Sequence, residues 1–288
     1  MMTLDELVRN VQKIEVLKNS VPHKKFSGLY DSPFRGSGLT TDYIRKYEIG
    51  DDVRDINWNV TARFREPYVN TFTEDKERLI WILVDISSSM HFGVGKTKLD
   101  IAIEIAATLA YSALKRNDAV GTILFSDKIE RLIKPDKGMA NFWRIAKALV
   151  DIKPMNKTTG LQGALQFASR LNNRKSLMFV VSDFVTDDKY GSLCKTLAQK
   201  NELNAIRIYD KLEANFPAIG WIKMRDGETG REQWVNTTSR RHMDGFSRFF
   251  SNVEHCFNQA FAGTNVRSLT IATDDNYIHK LFNFMSSR

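Results

Sequence analysis

Cysteine is almost absent from this chain: Cys194 and Cys256 are the only two in 288 residues. Two thiols so far apart, both in helix-like segments, exclude a disulfide framework and a cysteine-based zinc site. No apolar run approaches the ~20 residues that a membrane-spanning helix requires. The first twenty residues carry Asp5, Glu6, Arg9, Lys13, Glu15 and Lys18, so they contain no apolar signal core. A cytoplasmic protein with reduced thiols is the expectation. Internal repeats and low-complexity tracts are also missing. The formal net charge is +8, yet no run of five or six basic residues occurs. Such scattered charge reads as an ordinary basic surface rather than a dedicated polyanion site. No histidine stands where it would form a catalytic dyad, and the nearest to any motif, His91, reads as an exposed loop residue.

What is present is the patterning of a soluble globular chain, 42% hydrophobic and 26% charged. Leu4, Leu7, Val8, Val11, Ile14 and Leu17 recur at helical spacing, and Pro22 ends that helix. Phe26 to Gly38 reads as loop. From Tyr43 to Arg63 arginines and acids alternate among aromatics. One reading is an ion-pair network under a Trp58 lid, since guanidinium forks match carboxylates; the other is a ligand or partner surface. Pro67 to Thr73 suits a short strand.

From there strands and helices alternate. Strands are expected at 79–85, 119–125, 129–133, 176–183, 203–209 and 269–272, and helices at 99–115, 142–152, 189–200, 239–261 and 277–285. In the 239–261 helix, Phe246, Phe249, Phe250, Val253 and Phe257 are expected on the inner face. Residues 219–224 and 231–236 flank Asp226-Gly227-Glu228-Thr229-Gly230, which reads as a β-hairpin inserted into the alternation.

Two strands carry chemistry at their ends. Leu79-Ile-Trp-Ile-Leu-Val-Asp85 is an apolar run stopped by a carboxylate, followed by Ser87 and Ser89. Leu177 to Val181 repeats the pattern and stops at Ser182-Asp183. Apolar residues on both faces fit buried parallel strands, and ligands gather at the carboxyl ends of such strands. Thr158, Thr159 and Gly160 sit at the entrance to a helix beginning near Leu161. A threonine there is either an N-cap or an oxygen ligand. Oxygen donors of this kind suit a small hard cation such as Mg²⁺.

Two neighbouring patterns are weaker. His91-Phe-Gly93-Val-Gly95-Lys96-Thr97 imitates a phosphate-binding loop, but Met90 occupies the first glycine position and the loop does not directly follow the strand. Asp85 beside Mg²⁺ would suit a phosphatase-like nucleophile. Such chemistry wants a second acid where Ser87 stands, and serine does not serve as a general acid at neutral pH.

Asp85-x-Ser87-x-Ser89, Thr159-x-Leu161-x-x-Ala164-Leu165 and Ser182-Asp183 together resemble a von Willebrand factor A domain with its metal-ion-dependent adhesion site. Upstream, Tyr47-x-x-Gly50-Asp51-Asp52-Val53-Arg54-x-Ile56-x-Trp58-x-x-Thr61-Ala62-Arg63 resembles the bacterial domain of unknown function 58 family. The resemblance implies an α/β, Rossmann-like A domain: a mainly parallel central sheet with helices on both faces and one antiparallel edge strand. Residues 78–288 would form it, with the hairpin insertion at about 219–236, and residues 1–77 would form a family-specific segment packing on it. By the same resemblance Ser87, Ser89 and Thr159 offer hydroxyls to Mg²⁺, with Mn²⁺ or Ca²⁺ as alternatives, while Asp85 and Asp183 act mostly through bound waters. Phe184 stands where many A domains carry glycine. The implied role is a non-enzymatic interaction module that docks a partner carboxylate, with a MoxR-type AAA+ ATPase or its client as partner. The alternatives are the Asp85 hydrolase and nucleic-acid binding through the basic surface, with Trp58, Phe64 and Tyr68 as stacking platforms.

Overall fold

The computed structural model describes residues 3–19, 39–74, 77–152, 159–171, 174–186, 188–225 and 231–286. The expected loop at 26–38, residues 156–158 and the hairpin tip at 226–230 lie outside them. The chain divides into two units, Tyr30–Glu77 and the remainder.

In the larger unit, helix α1 (Leu4–Asn19) buries Leu7 and Val11. The smaller unit holds an antiparallel pair, β1 (Leu39–Lys46) and β2 (Tyr68–Glu74), with helix α2 (Trp58–Phe64) between them in sequence. Asn57 caps α2 by accepting from the Val60 amide. Of the expected ion-pair network, Arg45 pairs with Asp51 at 2.5 Å and Lys46 with Glu66. Trp58 is no lid: it is 66% exposed, and Phe64 is 64% exposed. None of the seven residues of α2 is buried, so no packed stripe draws in either aromatic.

The larger unit continues with β3 (Leu79–Asp85), α3 (Lys98–Leu114), β4 (Ala119–Phe125), β5 (Ile129–Asp136), α4 (Gly138–Val150), α5 (Leu161–Leu171), β6 (Leu177–Ser182), α6 (Tyr190–Lys200) and β7 (Glu202–Tyr209). After a short α7 (Lys211–Ala214) come β8 (Trp221–Arg225), β9 (Glu232–Asn236), α8 (Arg240–Phe261), β10 (Arg267–Ala272) and α9 (Tyr277–Ser286). Six strands make one sheet in the order β10-β7-β6-β3-β4-β5. All neighbours are parallel except β5, which runs antiparallel to β4 at the edge. This is the mainly parallel sheet with one antiparallel edge strand that the resemblance implied. The hairpin is also found, as the separate pair β8–β9.

Burial explains the apolar runs. Trp81 and Leu83 join a core with Leu161, Leu165, Leu197 and Phe257, from α5, α6 and α8. Ile80, Ile82 and Val84 alternate to the opposite face and are also buried. Helix α3 packs on the sheet and on α1 and α4, so nearly every residue from Lys98 to Ala110 is buried. In α8, Phe257 and Phe261 are buried, but Phe249 is 58% exposed. Its position is about 100° around the helix from Phe250, off the inner stripe. Among the described residues, no helix is long and apolar enough to cross a membrane.

The fold brings the strand ends to one side with short, tightly fixed links. β3 neighbours both β4 and β6, with Asp85 opposite Phe125 and Val84 opposite Val181. The Gly160 amide donates to the Ser126 carbonyl at 2.7 Å, tying the entrance of α5 to the end of β4. A Cβ at 160 would stand 2.5 Å from the Asp127 carbonyl oxygen, a backbone atom that cannot swing aside. Gly160→Ala is therefore expected to lower stability by about 1–3 kcal/mol through overpacking, read as a lower urea midpoint at unchanged slope.

Candidate metal centre

The five residues picked from the sequence lie together. Asp85 closes β3, Ser87 precedes a single 3₁₀ turn at Ser88–His91, Thr159 precedes α5, and Asp183 follows β6. Ser87 Oγ lies 3.1 Å from Ser89 Oγ, and Thr159 Oγ1 donates to Ser87 Oγ at 2.8 Å. Three hydroxyl oxygens from two separate loops thus form one cluster. Ser87 is fully buried, while Ser89 and Thr159 are partly exposed, so the cluster meets solvent on the side of those two.

The acids sit deeper, Asp85 at 0% and Asp183 at 1% exposure. Asp85 Oδ1 accepts from the Ser87 amide at 2.9 Å, and its Oδ2 accepts from the Ser182 hydroxyl at 2.6 Å. Asp183 Oδ1 accepts from the Val185 amide at 3.1 Å. Its Oδ2 accepts from the Lys98 ammonium at 2.7 Å. Burial, reinforced by the neighbouring Asp183 charge, pushes the Asp85 carboxyl up to about 7, against the opposing hydrogen bonds from Ser182 and Ser87. Lys98 is itself 1% exposed and also donates to Glu213 Oε1 at 2.6 Å. Burial alone would favour its neutral form, but the Asp183 and Glu213 charges outweigh burial and raise its pKa.

Phe184 adopts a left-handed backbone, φ 57°, which costs energy for a bulky side chain. Its ring is 2% exposed and packs on Phe257, Tyr190 and Phe261 at centroid distances of 4.8, 5.5 and 6.2 Å. The side chain is thus engaged by the core of α6 and α8. Its amide donates to Ser182 Oγ at 3.0 Å, so the same hydroxyl joins the Phe184 turn to Asp85.

The donor set fits a hard cation. Two buried acids that repel one another, with hydroxyl oxygens clustered beside them, form a site that a small divalent ion would stabilise. Among the described residues no group of three or more histidines, cysteines or acids could hold a metal, so this cluster owes its character to hydroxyls. The residues that would hold the ion are Ser87, Ser89 and Thr159, with Asp85 and Asp183 behind them. The glycine-bearing loop at 91–97 has another task. Thr97 and Asp100 form a reciprocal cap on α3, and Lys96 pairs with Glu104 at 2.8 Å.

Sequence reasoning missed Lys98 and Glu213, and it gave Ser182 no role of its own. Lys98 left a readable signal: it lies four residues before Ala102, on the same apolar stripe as Ile105 and Leu109. A lysine on such a stripe, opposite acid-ending strands, must find a carboxylate. Glu213 is fixed by α7, where it and Asp210 cap the helix reciprocally.

The Asp85 shift has a definite sign. Between the ordinary carboxyl value of 3.8 and about 7, the folded protein holds a proton there that the unfolded chain releases. In chelator, stability is therefore expected to fall as pH rises through that window. Asp85→Asn should flatten the fall, as read from thermal melting at several pH values.

The chain matches the family described as "Protein of unknown function DUF58" over residues 43–254. It is 24% identical over 258 residues to the uncharacterized proteins Rv1480 of Mycobacterium tuberculosis and Mb1516 of Mycobacterium bovis, covering 88% of this chain and 80% of each of theirs. Among solved structures it is similar to the conserved hypothetical protein BatB from Bacteroides thetaiotaomicron. That match has a TM-score of 0.48 and 16% identity, over 73% of this chain and 97% of BatB. The VWA domain of SpRpn10 aligns with a TM-score of 0.40 and 15% identity, over 72% of this chain and 95% of that domain. With the matched segment taking in both the Arg-rich N-terminal signature and the strands that carry the acids and hydroxyls, the chain belongs to the family Protein of unknown function DUF58.

Proposed function

We propose that this protein is a non-enzymatic, divalent-cation-dependent interaction module that docks an acidic side chain of a partner protein. The observation that carries the reading is that every oxygen of both buried acids accepts a hydrogen bond from the protein's own donors, beside hydroxyls that cluster toward solvent. Hydroxyls bring little negative charge, so Mg²⁺ held by Ser87, Ser89 and Thr159 would stay electrophilic and would gain from an outside carboxylate. On the strength of the family resemblance, the partner is a MoxR-type AAA+ ATPase or its client, and the role is that of an adaptor or co-chaperone.

Asp85 is poorly placed for the rival hydrolase. It is fully buried, and each of its oxygens is held by a protein donor, which disfavours attack on a substrate. The absence of an acid at position 87 leaves the leaving group without a proton donor.

The test is calorimetry of this protein against the MoxR-type ATPase. With Mg²⁺ the two are expected to bind; chelation or Ser87→Ala should weaken binding by about tenfold or more, the loss of one charge-assisted contact. Binding that ignores both changes would remove the cation from the mechanism.

The exposed Trp58 and Phe64, with the exposed Arg54, Arg63 and Arg65 around them, favour a second reading, single-stranded nucleic acid stacked on the smaller unit. That reading requires RNA binding that weakens steeply with salt and is lost in Trp58→Ala with Phe64→Ala.

A further inference from the structure

Lys98 is the one strongly buried cation that touches an acid of the candidate centre among the described residues. It stands at the first position of α3, and its ammonium bridges Asp183 Oδ2 at 2.7 Å and Glu213 Oε1 at 2.6 Å. These partners follow two neighbouring parallel strands, β6 and β7. Glu213 is held independently: its Oε2 accepts from the Asp210 amide at 3.1 Å. Asp210 is anchored in turn by the Thr273 hydroxyl and the Leu212 amide. The ammonium is therefore shared between an acid of the centre and an acid outside it.

From this sharing we infer that Lys98 is a tethered counter-charge that positions Asp183 and competes with the divalent cation for it. The inference rests on reading the five residues as a cation site. Its chemistry has two parts. A fixed positive charge against Asp183 repels an incoming cation, and in a buried setting that repulsion is weakly screened. The same contact occupies Asp183 Oδ2 while the Val185 amide occupies Oδ1, so the carboxylate stays behind the hydroxyls. Lys98 thereby keeps cation affinity low in the free protein. A carboxylate from outside, adding a negative charge, offsets the ammonium and lets the cation be retained. Cation and acidic partner then bind with positive coupling, each raising the affinity of the other.

Glu213 makes the inference testable in two directions. Replacing Lys98 by methionine keeps the stem and removes the charge, while the Val185 amide still orients Asp183. Replacing Glu213 by glutamine keeps its shape and leaves the ammonium to Asp183 alone. Mn²⁺ titration followed by electron paramagnetic resonance reads the free ion directly, whatever the partner, and circular dichroism checks folding of each variant. Lys98→Met is expected to tighten Mn²⁺ binding by about tenfold or more, and Glu213→Gln to weaken it by about threefold, as the change in one nearby charge implies. Acetate at millimolar concentration should strengthen Mn²⁺ binding to the wild type more than to Lys98→Met.

Because Lys98→Met leaves two acids without their partner, its metal-free form should melt at lower temperature. The rise in Tm on adding saturating Mn²⁺ is then a second readout and should exceed that of the wild type. Equal or weaker Mn²⁺ binding in Lys98→Met, while wild-type binding is lost in Ser87→Ala, would overturn the counter-charge and leave the cation site standing. Binding by Lys98→Met alone would support the counter-charge and overturn the cation dependence of the resting protein. If neither binds, both fall.

Discussion

Two carboxylates are buried side by side where adjacent parallel strands end, and the local structure depends on keeping them there. Asp85 and Asp183 are inside the protein, where the charged form of an acid is strongly disfavoured and two like charges still more so. Each oxygen is met by a donor that the fold supplies: the Ser87 amide, the Ser182 hydroxyl, the Val185 amide and the Lys98 ammonium. None of these comes from chance proximity. Ser182 lies on the strand paired with β3, and Ser87 and Val185 are each two residues beyond the acid they serve. Lys98 opens the helix that returns across the sheet. Removing one donor would leave a buried acceptor unsatisfied, a cost of about 1–3 kcal/mol and more for a charged group.

The strain at Phe184 follows from the same constraint. The chain must turn sharply after Asp183 so that its amides reach back toward Ser182 and Asp183. A left-handed residue makes that turn, and glycine would make it with little cost. Phenylalanine is tolerated because its ring enters a cluster with Tyr190, Phe257 and Phe261, and burial of an aromatic side chain is worth about 1.5–3 kcal/mol, comparable with the ~1–3 kcal/mol of backbone strain. The residue thus couples the acid-bearing loop to the α6–α8 layer.

Much of this was legible in the sequence, for a physical reason. Strands buried on both faces are written as unbroken apolar runs, so the acids that end them stand out, and Asp85 and Asp183 were found that way. Ser87 and Ser89 followed from their spacing. Thr159 was visible as a helix entrance, but its contact with the Ser87 hydroxyl is seen only in the fold. Lys98 shares the apolar stripe of α3, but a charged residue at a helix start is ordinarily solvated, and its burial follows from the return of α3 over the sheet. Glu213 belongs to a four-residue helix, too short for periodicity to signal. The strand β1 was not anticipated, since Thr41-Asp42-Tyr43-Ile44-Arg45 interrupts its apolar residues with charge and forms no clear apolar run. Trp58, Phe64 and Phe249 show the converse limit. Spacing says which residues share a face, and packing decides whether that face is covered.

On the proposed reading, the charge balance around the centre favours recognition over catalysis. Catalytic groups need a free lone pair or a proton to give, within reach of the reacting atom. Here each acid oxygen is buried and already accepts from a protein donor, and the hydroxyls toward solvent are neither strong bases nor strong acids. With Asp183 offset by an internal ammonium, and the charged form of Asp85 disfavoured by burial, the negative charge offered to a cation is reduced. On the proposed reading, a divalent ion there would receive little charge from its own ligands and would gain from a carboxylate of another molecule. Such a site would hold metal weakly by itself and more firmly together with an acidic partner.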